Sequence, residues 1–186
     1  MSRRRSSRAW LLGVAVLAGC SSAPGGVRHY RYAEAAEVPA DVTQRDQLAG
    51  LIAAFAQRNG LYYADTTPRV IRTTNGRQTL AIALQRKLTN GRPWNEISVT
   101  ALGDDAALIT FVAPLDGGVV PESNSQRAML MAELRAKWPG TADLPILPDG
   151  GIPRFGDVRR TAQGLKIDPA KAAPYHLPAD SPLIAK

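Results

Sequence analysis

The sequence predicts an α+β fold: a two-layer sandwich of an antiparallel four- to five-stranded sheet, two helices on one face, and a Pro-rich C-terminal tail. Three observations predict it. Two stretches, near 44–59 and 123–138, carry apolar residues at helical spacing. The residues between them alternate apolar and polar and are punctuated by Asn75-Gly76, Asn90-Gly91 and Asp104-Asp105. Eight of the 14 prolines lie from Pro139 onward, which excludes a continuous helix or a central strand there. Of the 186 residues 45% are hydrophobic and 21% charged, enough apolar material for a packed core and too little net charge for wholesale disorder.

The elements follow in order. Residues 20–40 are small and polar, with Pro24, Gly25, Gly26 and Pro39, and read as a tether. Val27, Tyr30, Arg31 and Tyr32 interrupt it and allow a short strand at a sheet edge as the alternative. The first helix is expected after Thr43, where Thr43 and Asp46 fit a capping-box-like start. Leu48, Leu51, Ile52 and Phe55 then form one apolar stripe, and Asn59-Gly60 offers a left-handed stop. The polar face of this helix carries few cations, which favours packing on a sheet over lying on a membrane.

Strands are expected at 61–65, 69–74 and 77–88, the last two joined by Asn75-Gly76 as a tight hairpin. The run 94–102 places Ile97, Val99 and Ala101 on one face and Glu96, Ser98 and Thr100 on the other. Residues 106–113 are more continuously apolar and suit a covered strand. Ser123 and Gln126 start the second helix, Leu130, Met131, Leu134 and Trp138 give its buried stripe, and Pro139-Gly140 ends it. Arg154 to Ile167 suits one short hairpin or edge strand around Gln163-Gly164. The resulting organisation is a leader (1–19), a tether (20–40), a globular domain (41–140) and an irregular extension (141–186).

The leader is the most specific motif. Arg3, Arg4, Arg5 and Arg8 precede an uncharged run, Ala9 to Gly19, and then Cys20. At 1.5 Å per residue that run spans roughly 16 Å, about half of a ~30 Å hydrocarbon core. It has the form of an export signal and is too short for a permanent span. Leu17-Ala18-Gly19-Cys20 resembles the lipobox of bacterial lipoproteins. The resemblance implies cleavage between Gly19 and Cys20, with acyl chains joined to Cys20. Each buried CH₂ adds about 0.8 kcal/mol, so two or three chains anchor stably where one does not. Ser21, in place of Asp, implies sorting to the outer membrane, on its periplasmic face.

Loss of the leader also changes the electrostatics. The formal charge of +7 comes from 23 basic and 16 acidic residues; without the four leader arginines, 19 basic residues face the same 16 acids. The remaining excess of about +3 is too small and too scattered for a nucleic-acid footprint.

No familiar catalytic signature is present: no nucleophile elbow, phosphate loop, His-Glu-x-x-His or Cys-x-x-Cys. One cysteine and two histidines cannot build a four-ligand zinc site. His29 falls in the tether and His176 in the tail, and both read as surface histidines. Asp104-Asp105 reads as a solvated turn, and Asp149-Gly150-Gly151 as a ligand loop or a turn. Arg86, Lys87 and Arg92 flank one hairpin, where they discourage edge pairing or touch an anionic surface. Trp94, Phe111 and Trp138 are expected to pack together; exposure of Trp94 beside Tyr62 or Tyr63 would instead make an aromatic patch.

No catalytic residue, metal or cofactor is expected. The expected partners are the membrane, through Cys20, and an envelope protein docked on the domain. The role that fits is a non-enzymatic binding or assembly-supporting module. The alternative is a periplasmic hydrolase or small-ligand-binding lipoprotein with an unadvertised cleft.

Overall fold

The computed structural model describes residues 30–73, 79–87, 91, 93–114 and 122–186. The leader, Cys20, His29, Asn75-Gly76, Asn90 and Arg92 lie outside the described residues.

The fold is α+β. Strand β1 is Tyr30–Val38, followed by helix α1 (Arg45–Arg58), β2 (Tyr62–Asp65), α2 (Thr67–Thr73), β3 (Ala81–Lys87), β4 (Pro93–Leu102), β5 (Ala106–Pro114) and α3 (Glu122–Lys137). The extension adds β6 (Ala142–Asp143), β7 (Val158–Thr161), β8 (Gly164–Ile167) and short 3₁₀ turns. Six strands form one antiparallel sheet in the order β2-β3-β4-β5-β1-β6, and β7 and β8 form a separate hairpin.

Helix α1 follows its sequence pattern: Leu48, Ile52 and Phe55 are fully buried. Its start differs in detail. Asp41, not Thr43, supplies the cap, and its carboxylate accepts from the Thr43 and Gln44 amides. Asp41 stands ahead of a 3₁₀ turn (Val42–Gln44) that leads straight into the α-helix, so the capping site lies earlier than the helical periodicity indicates. At the other end Gly60 takes φ +65°. The Leu61 amide then reaches the Ala56 carbonyl at 2.9 Å and closes the last turn.

Three expectations need correction. Among the described residues the sheet has six strands rather than four or five, and three α-helices occur rather than two. Two members are not expected in the sheet: the short β6, and β1, which occupies part of the expected tether and lies inside the sheet, between β5 and β6. Its residues, Tyr-Arg-Tyr-Ala-Glu-Ala-Ala-Glu-Val, include few of the β-branched side chains that mark a strand. Here both faces are covered: Ala35 belongs to one packed cluster and Ala36 to another, and neither is exposed. A strand squeezed in this way has room for alanine.

Residues 67–73 form α2, where the sequence pattern suggests a strand from 69. The Asp65 carboxylate accepts from the Thr67 amide at 2.8 Å, and Pro68 sits in the first turn, where its missing N–H costs nothing. These local start signals outweigh the β-branched residues that follow.

The sheet is covered on both sides. On one, Leu48, Ile52 and Phe55 of α1 and Leu130, Met131 and Leu134 of α3 pack with Ile82, Leu84, Ile97, Val99 and Ile109. On the other, Leu108 and Ala35 pack with Ala142, Leu144 and Leu165 from the extension. The molecule is therefore layered beyond a two-layer sandwich wherever the extension lies on the sheet. Gln163-Gly164 does turn a hairpin, with Gly164 at φ +102°. The extension continues to a fixed end: Ile184 bridges Ile167 in parallel, and Ile184 and Ala185 are buried.

Candidate functional site

Two irregularities in strand register build a cleft on the sheet face away from α1 and α3. In β1, Tyr32 pairs with Val112 but Glu34 pairs with Phe111, which leaves Ala33 as an extra residue. In β4, Leu84 pairs with Ile97 but Gln85 pairs with Asn95, which leaves Glu96 extra. A bulge reverses the in–out alternation of a strand. Beyond the first bulge Tyr30 and Tyr32 face the cleft, while Glu34 meets Arg127 of α3 at 2.9 Å on the opposite side. Beyond the second, Asn95 faces the cleft, while Glu96 is only 6% exposed and is held by Arg86, which also donates to Gln126 of α3.

The cleft encloses about 300 Å³. Its floor is Ser98 and Thr100 of β4 with Leu108, Thr110 and Val112 of β5. Tyr30 and Tyr32 stand on one side, and Gln85, Asn95 and Trp94 on the other. Ile152, from the extension, completes the wall.

Several contacts hold these side chains. The Tyr30 and Tyr32 rings meet edge to face, with centroids 5.7 Å apart and planes at 78°. The Trp94 indole donates its N–H to the Val112 carbonyl at 3.2 Å, which orients the ring and uses its one donor. Gln85 donates from Nε2 to Asn95 Oδ1 at 2.7 Å. That bond uses a donor of Gln85 and the acceptor of Asn95; the two amides also carry the Gln85 carbonyl oxygen, an acceptor, and the Asn95 nitrogen, a donor.

Asp149-Gly150-Gly151 serves as a turn that mounts the wall. The Asp149 carboxylate accepts from the Gly151 amide at 2.8 Å, and the Gly150 carbonyl accepts from the Tyr32 amide at 2.8 Å. Gly150 lies at φ +77°, and a Cβ there would sit 2.6 Å from Arg31 Cβ. Only glycine lets the turn approach β1 so closely.

Among the described residues the lining carries no carboxylate, imidazole, thiol, amine or guanidinium. Glu34, close in sequence to Tyr32, is on the helix side with Arg127. Burial pushes its pKa up, against the pull of Arg127, and Asp143 adds to the rise.

The other residues singled out by sequence are dispersed. His176 is an exposed residue in the extension with left-handed backbone. Asp104-Asp105 is the β4–β5 turn, where the Asp104 carbonyl accepts from the Val42 amide at 2.8 Å. Arg86 points under α3 instead of outward, and Lys87 is exposed at the end of β3. Phe111 and Trp138 share the helix-side core, but Trp94 lines the cleft. Its aromatic neighbours there are Tyr30 and Tyr32, not Tyr62 or Tyr63. Among the described residues no three His, Cys, Asp or Glu gather to hold a metal ion, and no helix is long and apolar enough to cross a membrane.

Sequence reasoning misses the cleft because Tyr30 and Tyr32 read as tether, and Ser98 and Thr100 only as the polar face of a strand. The available signal is an aromatic residue at each strand end beside a hydroxyl-bearing face. Comparison with protein-family models, curated proteins and solved structures finds no match to this chain, so its functional assignment rests on the cleft and the N-terminal motif.

Proposed function

We propose that this chain is a lipid-anchored envelope protein, held at the outer membrane by acyl chains on Cys20, whose domain works by binding an uncharged ligand in the sheet-face cleft rather than by catalysis. The cleft carries the reading: it is concave, aromatic and polar, and among the described residues its lining holds no carboxylate, imidazole, thiol, amine or guanidinium. The anchor rests on the lipobox-like Leu17-Ala18-Gly19-Cys20. A near-neutral mature chain agrees with a neutral ligand and gives no electrostatic steering toward an ionic one.

Two experiments test it. Cys20→Ser is expected to move the protein from the membrane fraction to the soluble fraction; unchanged fractionation overturns acyl anchoring. The full chain in detergent micelles is then screened by thermal shift against neutral, anionic and cationic small molecules. Stabilising compounds should come from the neutral set and lose their effect in Ser98→Trp, which fills the cleft. Compounds that still stabilise that variant, or that are all charged, sink the cleft reading.

A second reading, docking of a partner protein, draws on the sheet edge. Strand β2 is outermost, and its Tyr62 is 68% exposed. Such an edge can accept an added strand. Cross-linking from position 62 to a single envelope protein would favour it.

A further inference from the structure

We infer that the ligand of this cleft is an uncharged pyranose sugar, recognised as a mono- or disaccharide by side chains alone. The inference rests on the cleft-binding reading above and names its ligand class.

The first support is the backbone. The cleft opens on the face of paired strands β3, β4, β5 and β1 rather than along a strand edge, and the Tyr32 amide of β1 is already bonded to the Gly150 carbonyl. A ligand seated on that face meets side chains. The second is that the described lining residues are all uncharged, and a phosphate, carboxylate or ammonium finds no counterpart among them.

The third support is the pattern of polar groups. Ser98, Thr100 and Thr110 carry hydroxyls that both donate and accept, as the hydroxyls of a sugar do. Gln85 and Asn95, bonded to each other, also line the cleft and carry a further acceptor and donor. That pair matches two neighbouring sugar hydroxyls, or the C=O and N–H of an acetamido substituent.

The fourth is the aromatic arrangement. A pyranose ring has faces of axial C–H bonds, electropositive at hydrogen, which suit the electron-rich face of an indole or phenol. Trp94 has its N–H tied to Val112, so the contact it offers a ligand is its ring. Tyr30 and Tyr32 meet at 78° and do not form parallel plates. They are poorly arranged to sandwich a flat nucleobase and better suited to a thick, puckered ring. A volume of about 300 Å³ accommodates a ligand at the small end of the usual range.

Calorimetry on the full chain in micelles tests the assignment, with N,N′-diacetylchitobiose, cellobiose, adenosine and a neutral blocked dipeptide as the four probes. At least one disaccharide should bind saturably, while adenosine and the dipeptide do not. Trp94→Ala should weaken that binding about tenfold or more. Gln85→Ala, a change at a half-exposed side chain, should weaken it as well. The melting temperature of each variant separates lost binding from lost folding. A preference for diacetylchitobiose that disappears in Gln85→Ala assigns the amide pair to the acetamido group; equal binding of both disaccharides assigns it to hydroxyls.

Saturable binding of adenosine or the dipeptide, but of neither sugar, overturns the saccharide and leaves the cleft a binding site. No binding by any probe also overturns it. If the broad neutral set fails as well to show any effect that Ser98→Trp removes, the cleft reading falls with it.

Discussion

Glu96 is buried because one extra residue in β4 turns it under α3, where Arg86 receives its charge. The side chains of this ion pair are 14% and 8% exposed. Desolvation offsets much of such a pair's attraction, so its presence alone says little about stability. Removing one partner is different, because it strands the other charge. Glu96→Ala is expected to cost about 3–5 kcal/mol in urea unfolding, and the double change Arg86→Met with Glu96→Leu much less. A cost within about 0.5 kcal/mol for the single variant would contradict this. Glu34 gives a pH signature. Its pKa is raised above 4.5, chiefly by burial, although Arg127 and Arg135 pull it down. The folded state therefore keeps a proton that the unfolded chain has already released. Stability from this group is present at acid pH and is lost as pH rises from the unfolded value through the raised one. Glu34→Gln should show a smaller fall in stability than the native chain between about pH 4 and pH 7. Identical pH profiles for the two proteins would refute the assignment. Neither behaviour is legible from composition: Glu96 alternates in sequence with Ser98 and Thr100, yet faces the other way.

At the scale of elements, legibility follows how local the signal is. Helices α1 and α3 carry their buried stripes within a few turns, and β4 and β5 carry alternation or continuous apolarity. All four are readable from the sequence. Strand β1 is not, because its alanines suit a slot whose dimensions are set by β5, β6 and the extension. Helix α2 is readable only from its Asp65 and Pro68 start, since Val70, Ile71 and Thr73 point equally to a strand. The C-terminal end is held where proline content suggests looseness. Ile167 donates its amide to Leu183 and accepts from Ala185, each at 2.9 Å. Deleting residues 183–186 removes both bonds and the buried Ile184. The expected loss is about 1.5–3 kcal/mol, with faster hydrogen exchange at Ile167 and unchanged protection in α1. Exchange at Ile167 that stays slow would show the end to be dispensable.

Over the whole molecule, the extension decides what the sheet can do. Both faces of a sheet this apolar need cover, and two helices cover only one. The extension covers part of the other, through Leu144, Leu165 and an ion pair between Arg160 and Glu37 at 2.8 Å. Where that cover ends at Ile152, the sheet face remains open and the cleft begins. The sequence by itself determined the α+β class, both long helices and the β4–β5 pair, because helical and strand periodicities are local properties of the chain. Tertiary structure alone decided that β1 is an inner strand, that Glu96 and Ala33 are bulged, and that Tyr30, Tyr32 and Trp94 line one cleft. Register is a relation between two strands, and a one-residue slip changes which face a side chain occupies, so no single segment contains that information.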